Sequence, residues 1–365
     1  MREYRLKHRN NFDGLELNEA PTPQLTSPTQ ILIRIRAICL NARDLQIATS
    51  TYPAPHLIPE NVVPVSDASG EVVEIGDRVD RFEKGDRVCP IIMQGHHFEQ
   101  ENNHMTTSLG GAVYGVATEY FLCDQSEAVK IPSHLTYLEA ATLPVGHLHS
   151  NMYTYAPINK AFHQIAYLTA WTALFKFEPK MIAGQTVLVM GTGGCSIATL
   201  QLAKAAGCKC IVTSSSDDKL KVAVSLGADG CVNYKTHVEW DKEVRKLTQG
   251  RGVDYVVEVS GGDTLNRSIR SCRKGGVVSI IGYLSDYSAK TGGGEDVSKT
   301  IMYSQAQVKG VIIGNRQDFE NMNRAIDASG LKPVVDKVFK FEHLRDAYDY
   351  LQKGLLIGKV VVEVA

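Results

Sequence analysis

A glycine cluster in the middle of the chain has the spacing of a phosphate-binding turn. The cluster, Gly191–Gly194, follows the apolar run Val187–Met190, and a helical pattern begins directly after it. A strand, a glycine turn and a helix in this order expose backbone N–H groups and the positive end of a helix to a ligand phosphate. The fingerprint is incomplete, because Ser196 or Ala198 stands where its last glycine would be. The turn predicts a dinucleotide site, and an ordinary strand–helix connection is the alternative.

The end of the next predicted strand bears on the choice between NADH and NADPH. Sites that prefer NAD place an acidic residue there to bind the ribose 2′-hydroxyl. This chain has Ser214, Ser215 and Ser216 at that point, and Lys219 follows them. Hydroxyl groups and a cation suit a 2′-phosphate better than a carboxylate would. We therefore expect NADPH, with NADH as the other cofactor to test; the alternative is that the serines only cap the following helix.

Length, composition and charge restrict the classes of function. The chain has 365 residues, 44% hydrophobic and 22% charged, with a net charge of −1, which is typical of a globular protein of about two domains. This balance gives no sign of a nucleic-acid or membrane partner. No apolar run approaches the ~18 residues of a transmembrane helix, and the first residues lack the apolar segment of a secretory signal. We therefore expect a cytoplasmic protein that acts on a small-molecule substrate.

The eight cysteines show neither a disulfide framework nor a metal-binding pattern. None stands in a C-x2-C motif, and several lie inside apolar, strand-like runs. We expect free, mostly buried thiols in a reducing compartment.

The elements around the glycine turn change character along the chain. Residues 1–140 are rich in short strands and turns. From residue 168 onward, apolar strands alternate with helical patterns, and repeated βαβ units imply a parallel, doubly wound sheet. After Gly314 we expect two helices and a last strand, Lys359–Val364, without further βαβ rhythm. We expect this tail to return to the first module.

Several ordered motifs carry a resemblance to a known family. The chain resembles the medium-chain dehydrogenase/reductase superfamily, and within it the zinc-independent, quinone-oxidoreductase-like members. The matching stretches span nearly the whole chain in order: LNARDLQ (40–46), SGEVVEIGDRVDRFEKGDRV (69–88), ATEYFL (117–122), EAATLPV (139–145), AYLTAWTAL (166–174), VLVMGTGGCSIATLQLAKAAG (187–207), SLGAD (225–229), RGVDYVVEVSGG (251–262), GGVVSIIGYL (275–284) and IGKVVVEV (357–364).

The resemblance implies a fold and a division into domains. The fold would be α/β, with a Rossmann doubly wound parallel sheet and a GroES-like β-barrel domain. The implied domains are a GroES-like part over 1–145, an insertion over 146–165, a Rossmann domain over 166–318 and a return to the GroES-like domain over 319–365. The strand-like segment Val308–Gly314 would lie at the edge of the Rossmann sheet, where related chains pair as homodimers.

The resemblance also predicts that the catalytic metal of many relatives is missing. Zinc-dependent members use a cysteine, the histidine of a GHE motif and a second cysteine. These positions fall at Asn41, at Val65–Asp67 and near Val145, and no four-cysteine lobe is present. Catalytic zinc needs three protein ligands around an open position. We therefore expect no zinc, and we interpret Cys39 as a small core residue.

The family pattern assigns further site residues. For the cofactor groove it assigns Gly191, Thr192, Gly193, Gly194, Cys195, Ser214, Ser215, Ser216, Lys219, Gly261, Ile281, Gly282, Tyr283, Gly314, Asn315 and Arg316. Arg316 has the alternative of an ordinary surface arginine. Candidates to position a substrate or to give a proton are Asn41, Tyr52 and Thr169, with Asp44 beside them. Structural roles remain open for these residues: a turn residue, a cavity wall or a helix cap.

The implied reaction is hydride transfer to a quinone or an α,β-unsaturated carbonyl, because such acceptors delocalise charge without a Lewis acid. A zinc-free alcohol or aldehyde dehydrogenase and a catalytically silent nucleotide-binding protein are the alternatives.

One segment departs from the family pattern. Relatives run almost directly from the LPV motif to the AYLTAW motif, whereas residues 146–165 intervene here and carry His147, His149 and His163. No carboxylate or thiolate accompanies these histidines, which argues against a metal site. The segment is either a loop that reshapes the substrate pocket or an intron translated in frame.

Overall fold

The computed structural model describes residues 1–52, 58–98, 104–144, 167–282, 296–354 and 356–365. The segment 146–165, Val145 and Tyr283 therefore lie outside the described residues. The chain divides into two compact units: the described residues of 1–157 and 314–365 form the first unit, and those of 158–313 form the second. The predicted domain boundaries at residues 145, 165 and 318 stay predictions.

The described strands, in chain order, are β1 Arg2–Leu6, β2 Leu15–Glu19, β3 Gln30–Leu40, β4 Asp67–Ile75, β5 Arg87–Pro90, β6 Tyr120–Asp124, β7 Ala128–Lys130, β8 Thr186–Met190, β9 Lys209–Ser214, β10 Gly230–Asn233, β11 Val253–Glu258, β12 Cys272–Ile280, β13 Gln307–Gly310, β14 Val335–Lys340 and β15 Lys359–Glu363. The described α-helices are α1 Ala42–Ala48, α2 Tyr137–Ala140, α3 Tyr167–Trp171, α4 Gly194–Ala205, α5 Asp217–Ser225, α6 Trp240–Leu247, α7 Gly262–Ser271, α8 Val297–Ser304, α9 Arg316–Ser329 and α10 Leu344–Gln352.

The second unit is built on a six-stranded sheet in the order β10-β9-β8-β11-β12-β13. Every neighbouring pair in it is parallel, as the repeated βαβ units predict. All six residues of β11 are buried, which is typical of a parallel strand covered on both faces. The chain order reverses between β8 and β11, and in such sheets ligands bind at the carboxyl ends of the strands beside this reversal. The predicted α/β fold with a parallel Rossmann sheet is confirmed.

The first unit contains a seven-stranded sheet in the order β14-β15-β3-β4-β5-β7, with β6 also paired to β3. The long strand β3 lies between β15 and β4. Val360 pairs with Leu40 on one side, and Asp67 pairs with Cys39 on the other. This register brings Lys359 and Asp67 to the two flanks of the end of β3, directly before Asn41.

The tail of the chain differs from the sequence prediction. Strands β14 and β15 are parallel neighbours, and α10 connects them, so the tail contains a βαβ unit that we did not expect. The segment that forms β14 is mostly exposed or half-buried and contains three charged residues, so it lacks the apolar run by which a parallel strand is recognised.

Two further observations concern the described residues. No helix among them is long and apolar enough to cross a bilayer. All eight cysteines lie in the described ranges and are free thiols, and seven of them are buried.

Candidate functional site

The glycine turn after β8 has the geometry that a pyrophosphate site needs. Gly191 has a φ of 77°, a conformation that side chains disfavour. Gly193 is the N-cap of α4 and offers no side-chain hydrogen bond to the helix, so first-turn N–H groups remain available to an anion. Ser196 Oγ donates to Met190 O at 2.6 Å and ties the first turn of α4 to the end of β8. Thr192 and Cys195, both predicted cofactor residues, are buried beside this turn.

The serine cluster lies at the carboxyl end of β9. Ser214 is buried as the last residue of the strand. Ser216 is the N-cap of α5, and its Oγ accepts the backbone N–H of Lys219 at 3.5 Å. The acidic residue that follows, Asp217, accepts a hydrogen bond from Asn233 Nδ2 at 2.7 Å. The capping alternative therefore holds for Ser216, while Ser214 and Ser215 are not used as caps.

A buried carboxylate organises the loop after β11, and sequence analysis missed it. Glu258 Oε1 accepts hydrogen bonds from Ser260 N at 2.7 Å, Gly261 N at 3.0 Å and Thr264 Oγ1 at 2.9 Å. Its Oε2 accepts the hydroxyl of Ser268. Burial raises the pKa of Glu258, and the four donors oppose that rise. The available signal was an acidic residue directly after the apolar run Tyr255–Val257.

This loop lies at the carboxyl end of β11, the strand that pairs with β8. Gly261 has a φ of 66°, which glycine alone adopts readily. Glu258 O also accepts the backbone N–H of Ile281 at 2.9 Å, and Ile281 and Gly282 are buried at the end of β12. The predicted cofactor residues Gly191, Ser214, Gly261 and Ile281 thus follow the carboxyl ends of four neighbouring strands.

The other predicted site residues are Thr169, a candidate catalytic residue, and the cofactor candidates Gly314, Asn315 and Arg316. Thr169 is buried in α3 of the second unit, and its Oγ1 donates to Ile312 O at 3.3 Å. Gly314, Asn315 and Arg316 belong to the first unit. Asn315 caps α9 by accepting Asp318 N at 2.9 Å. Arg316 Nη1 donates to Ser126 O at 3.0 Å, so its guanidinium has a structural contact.

In the first unit, hydrogen bonds of its backbone and of its side chain fix Asn41 directly before α1. It is 1% exposed. Its backbone N–H donates to Asp44 Oδ2 at 2.8 Å, which makes Asp44 part of the helix cap. Its Oδ1 accepts the ammonium of Lys359 at 2.5 Å, and the same ammonium donates to Leu40 O at 3.1 Å. Sequence analysis did not assign Lys359 to the site, although it lies in the matching stretch IGKVVVEV (357–364).

Two carboxyls beside this ammonium have pKa values near neutrality. Burial raises the pKa of Asp67 to about 7, although Lys359, Asn41 and a 2.8 Å hydrogen bond from Ser66 Oγ favour its ionised form. Burial raises the pKa of Asp44 to about 6, and the neighbouring Arg43 opposes that rise most strongly. Both carboxyl groups therefore change charge within the pH range in which enzymes operate.

Tyr52 is buried against a buried arginine. Its ring centroid lies 5.4 Å from the Arg43 guanidinium, and Arg43 Nη1 donates to Leu109 O at 2.8 Å. Burial raises the pKa of the Tyr52 hydroxyl. The phenol therefore stays protonated at neutral pH and can donate a hydrogen bond.

The residues at the zinc positions of the family do not fit a zinc ion. The described ones are Asn41 and Val65–Asp67, and Asp67 alone among them carries one of the groups that hold protein zinc, which are thiolate, imidazole and carboxylate. The Lys359 ammonium already contacts Asn41 Oδ1, so a divalent cation there would meet a positive charge. Burial raises the pKa of Cys39 to about 12, which keeps the thiol protonated. Across the part of the chain that the structure describes, no three His, Cys, Asp or Glu side chains are grouped to hold a metal.

Comparisons with known proteins agree with this architecture. The alcohol dehydrogenase GroES-like domain matches residues 27–133, and the zinc-binding dehydrogenase domain matches residues 194–328. A zinc-type alcohol dehydrogenase-like protein of Schizosaccharomyces pombe is 36% identical to this chain, with 97% of this chain and 96% of that protein covered. A quinone oxidoreductase of Lama guanicoe is 25% identical, with 99% and 97% covered. Among solved structures, an NAD-dependent alcohol dehydrogenase superimposes with a TM-score of 0.83 at 28% identity, with 100% of each chain covered.

These matches confirm the GroES-like domain and extend over the whole length of the chain. Together with the parallel six-stranded sheet and its glycine turn, they show that the chain belongs to the medium-chain dehydrogenase/reductase superfamily of oxidoreductases.

Proposed function

We propose that this chain is a zinc-independent, NADPH-dependent oxidoreductase that transfers a hydride to a quinone or an α,β-unsaturated carbonyl compound. One observation carries the proposal: the first zinc-ligand position of the family holds Asn41, an amide in place of a thiolate, and a buried ammonium bonds its side-chain oxygen. Without a metal to polarise an isolated carbonyl, the favoured acceptors are those that delocalise negative charge themselves. The similarity to a protein named quinone oxidoreductase supports this class of substrate.

The cofactor site of the proposal lies along the carboxyl edge of the parallel sheet. A bound dihydronicotinamide supplies the hydride. The N–H groups at Gly191–Gly194 would hold the pyrophosphate, and Ser214 and Ser215 with Lys219 would hold the 2′-phosphate. Gly261, Ile281 and Gly282 would line the groove farther along the sheet. The family matches support a nicotinamide cofactor, while the preference for NADPH rests on the serine cluster.

Three side chains have proposed roles toward the acceptor. Asn41 would donate an amide N–H to the acceptor oxygen, on which negative charge develops as hydride arrives at carbon. Tyr52 would offer a protonated phenol as a second donor, and Thr169 a hydroxyl. Water would supply the proton that completes the reduction, so each turnover consumes one hydride and one proton.

A zinc-free alcohol or aldehyde dehydrogenase is the second candidate, because a solved neighbour is named an NAD-dependent alcohol dehydrogenase. The third candidate, a silent nucleotide-binding protein, keeps the cofactor groove but has no turnover.

Steady-state assays separate the three candidate functions. The protein, treated with a chelator, is mixed with NADPH or NADH and with a quinone, an enone or an aldehyde. We expect turnover with NADPH and the first two acceptors. Aldehyde turnover alone would favour the second candidate, and binding without turnover the third.

We also propose a homodimer and a cytoplasmic location. Strand β13 ends the described six-stranded sheet, and Met302 and Tyr303 on the neighbouring α8 are 61% and 75% exposed. Light scattering at several concentrations tests the dimer.

A further inference from the structure

The least expected group near the proposed site is the ammonium of Lys359. This side chain is 1% exposed at the start of β15. A buried ammonium is costly unless hydrogen bonds and an opposite charge accompany it. The ammonium donates to Leu40 O at 3.1 Å and to Asn41 Oδ1 at 2.5 Å, two acceptors in one short stretch of chain. These bonds hold the ammonium against the end of β3 and the side-chain oxygen of Asn41.

The opposite charge comes from two other elements. Asp67 at the start of β4 and Asp44 in α1 both interact with the Lys359 ammonium, which partly opposes the rise that burial causes in the pKa of each carboxyl. Asn41 also favours the ionised form of Asp67. Its Nδ2 nevertheless makes no hydrogen bond of good geometry with any described residue. The amide thus lies between an ammonium on its oxygen and a carboxyl near its nitrogen, with donor capacity left over.

We propose that Lys359 is a positioning residue that orients and polarises the Asn41 amide, in the place where related enzymes hold a metal cation. A hydrogen bond from a cation to the amide oxygen draws electron density from the amide nitrogen and strengthens its N–H groups as donors. It also fixes the orientation of the amide, because the oxygen end faces the ammonium and the nitrogen end faces away from it. When it is ionised, Asp67 supplies a counter-charge to the buried ammonium. This inference rests on the proposed role of Asn41 toward the acceptor.

The first test is a double-mutant cycle with Lys359→Met, which keeps the length of the side chain but removes the ammonium. We expect kcat/KM for the acceptor to fall at least tenfold, mainly in kcat, while the Kd of NADPH changes less than twofold. Asn41→Ala should cause a similar loss, and the double variant should be no worse than Asn41→Ala alone. The matched control is Lys340→Met on the exposed Lys340, which should leave all constants unchanged. Independent, additive losses, or no loss at Lys359, would overturn the inference.

Removal of one buried charge can prevent folding, so a second variant is needed. Lys359→Met combined with Asp67→Asn removes both charges and leaves neither uncompensated. We expect this pair to fold and to show the same loss of kcat as Lys359→Met. A folded pair with full activity would refute the positioning role.

A readout without turnover separates this inference from the proposed function. In protein labelled with ¹⁵N-asparagine, the side-chain amide signal of Asn41 is assigned by its loss in Asn41→Ala. Lys359→Met, or the charge-neutral pair, should shift that signal, whereas Lys340→Met should not. If the parent protein reduces no acceptor but the signal shifts, the proposed function fails and Lys359 still orients Asn41. An unshifted signal rejects the positioning role whatever the activity.

Discussion

Glu258 Oε1 accepts the backbone N–H of Gly261 at 3.0 Å, and this bond folds the loop after β11 back onto the end of its own strand. The same carboxylate holds three other donors of that loop and of α7. The loop lies beside the reversal of strand order, so its shape bears on both stability and nucleotide binding.

Glu258→Ala removes the acceptor of four donors, of which Gly261 N and the Ser268 hydroxyl belong to buried residues. Because an unsatisfied buried donor costs about 1–3 kcal/mol, we expect a loss of unfolding free energy of about 3 kcal/mol or more, together with at least tenfold weaker NADPH binding. Denaturant titration and fluorescence titration measure the two effects. Glu258→Gln keeps one acceptor oxygen and should lose much less of both. Equal behaviour of the two variants would contradict the role assigned to the carboxylate.

Ser214→Asp is expected to weaken NADPH binding and to spare NADH. The new carboxylate would face the 2′-phosphate, and the expected loss is about 1–3 kcal/mol if the groups are desolvated. The control is Ser225→Asp, the same substitution at the exposed last residue of α5. It should leave both dissociation constants unchanged. Equal affinities of the parent protein for NADPH and NADH would remove the basis of the prediction.

Purified protein is expected to contain no stoichiometric zinc. Asn41 and Ser66 lack the thiolate and imidazole that such a site requires, and Lys359 brings a positive charge to the same place. Elemental analysis should find far less than one zinc per chain, and 1,10-phenanthroline should leave activity unchanged. One zinc per chain, with activity lost on chelation, would show that the metal comes from residues outside these positions.

The buried Asp67 predicts a pH-dependent stability. Its folded pKa of about 7 lies above the ordinary value of 3.8, so the folded protein binds this proton more tightly than the unfolded chain does. The free energy of unfolding should therefore fall as pH rises from about 4 to 7, by up to about 1.4 kcal/mol per pH unit. In Asp67→Asn this contribution disappears. The Tm of the parent protein minus the Tm of Asp67→Asn should therefore decrease as pH rises from about 4 to 7. The control is Asp13→Asn, at an exposed position, which should leave the pH profile of stability as it is. A difference in Tm between the parent protein and Asp67→Asn that stays constant with pH would contradict the assignment.

Deletion of residues 146–165 should join Val145 to Ala166 as in relatives. If the segment is foreign to the fold, stability should stay the same or rise, because a long loop adds closure entropy. Nucleotide binding should persist, since the Gly191–Gly194 turn lies well downstream. Thermal unfolding, NADPH titration and kcat measure these outcomes. A deletion variant that unfolds, or that binds NADPH but loses activity, would mark the segment as part of the site.

The sequence was sufficient where the signal is local. The strand, glycine turn and helix around Gly191–Gly194 were predictable because apolar periodicity and glycine positions act over a few residues. The same holds for the position of the serine cluster at the carboxyl end of β9. The βαβ unit of the tail was missed, because β14 is partly exposed and has no continuous apolar run.

Tertiary structure alone decided what surrounds those residues. Lys359 and Asn41 are 318 positions apart in sequence, and only the pairing of β15 with β3 brings the ammonium to the amide. Asp67 joins them through the register of β4 on the opposite side of β3. In the sequence, Glu258 is one of many acidic residues. Only the folded chain shows that it is buried and accepts hydrogen bonds from four donors. Sequence patterns report periodicity and residue type. Burial, strand register and the electrostatic effect of neighbouring charges arise only when distant segments pack together. They set the pKa values of the buried carboxyls and the orientation of the Asn41 amide in the proposed site.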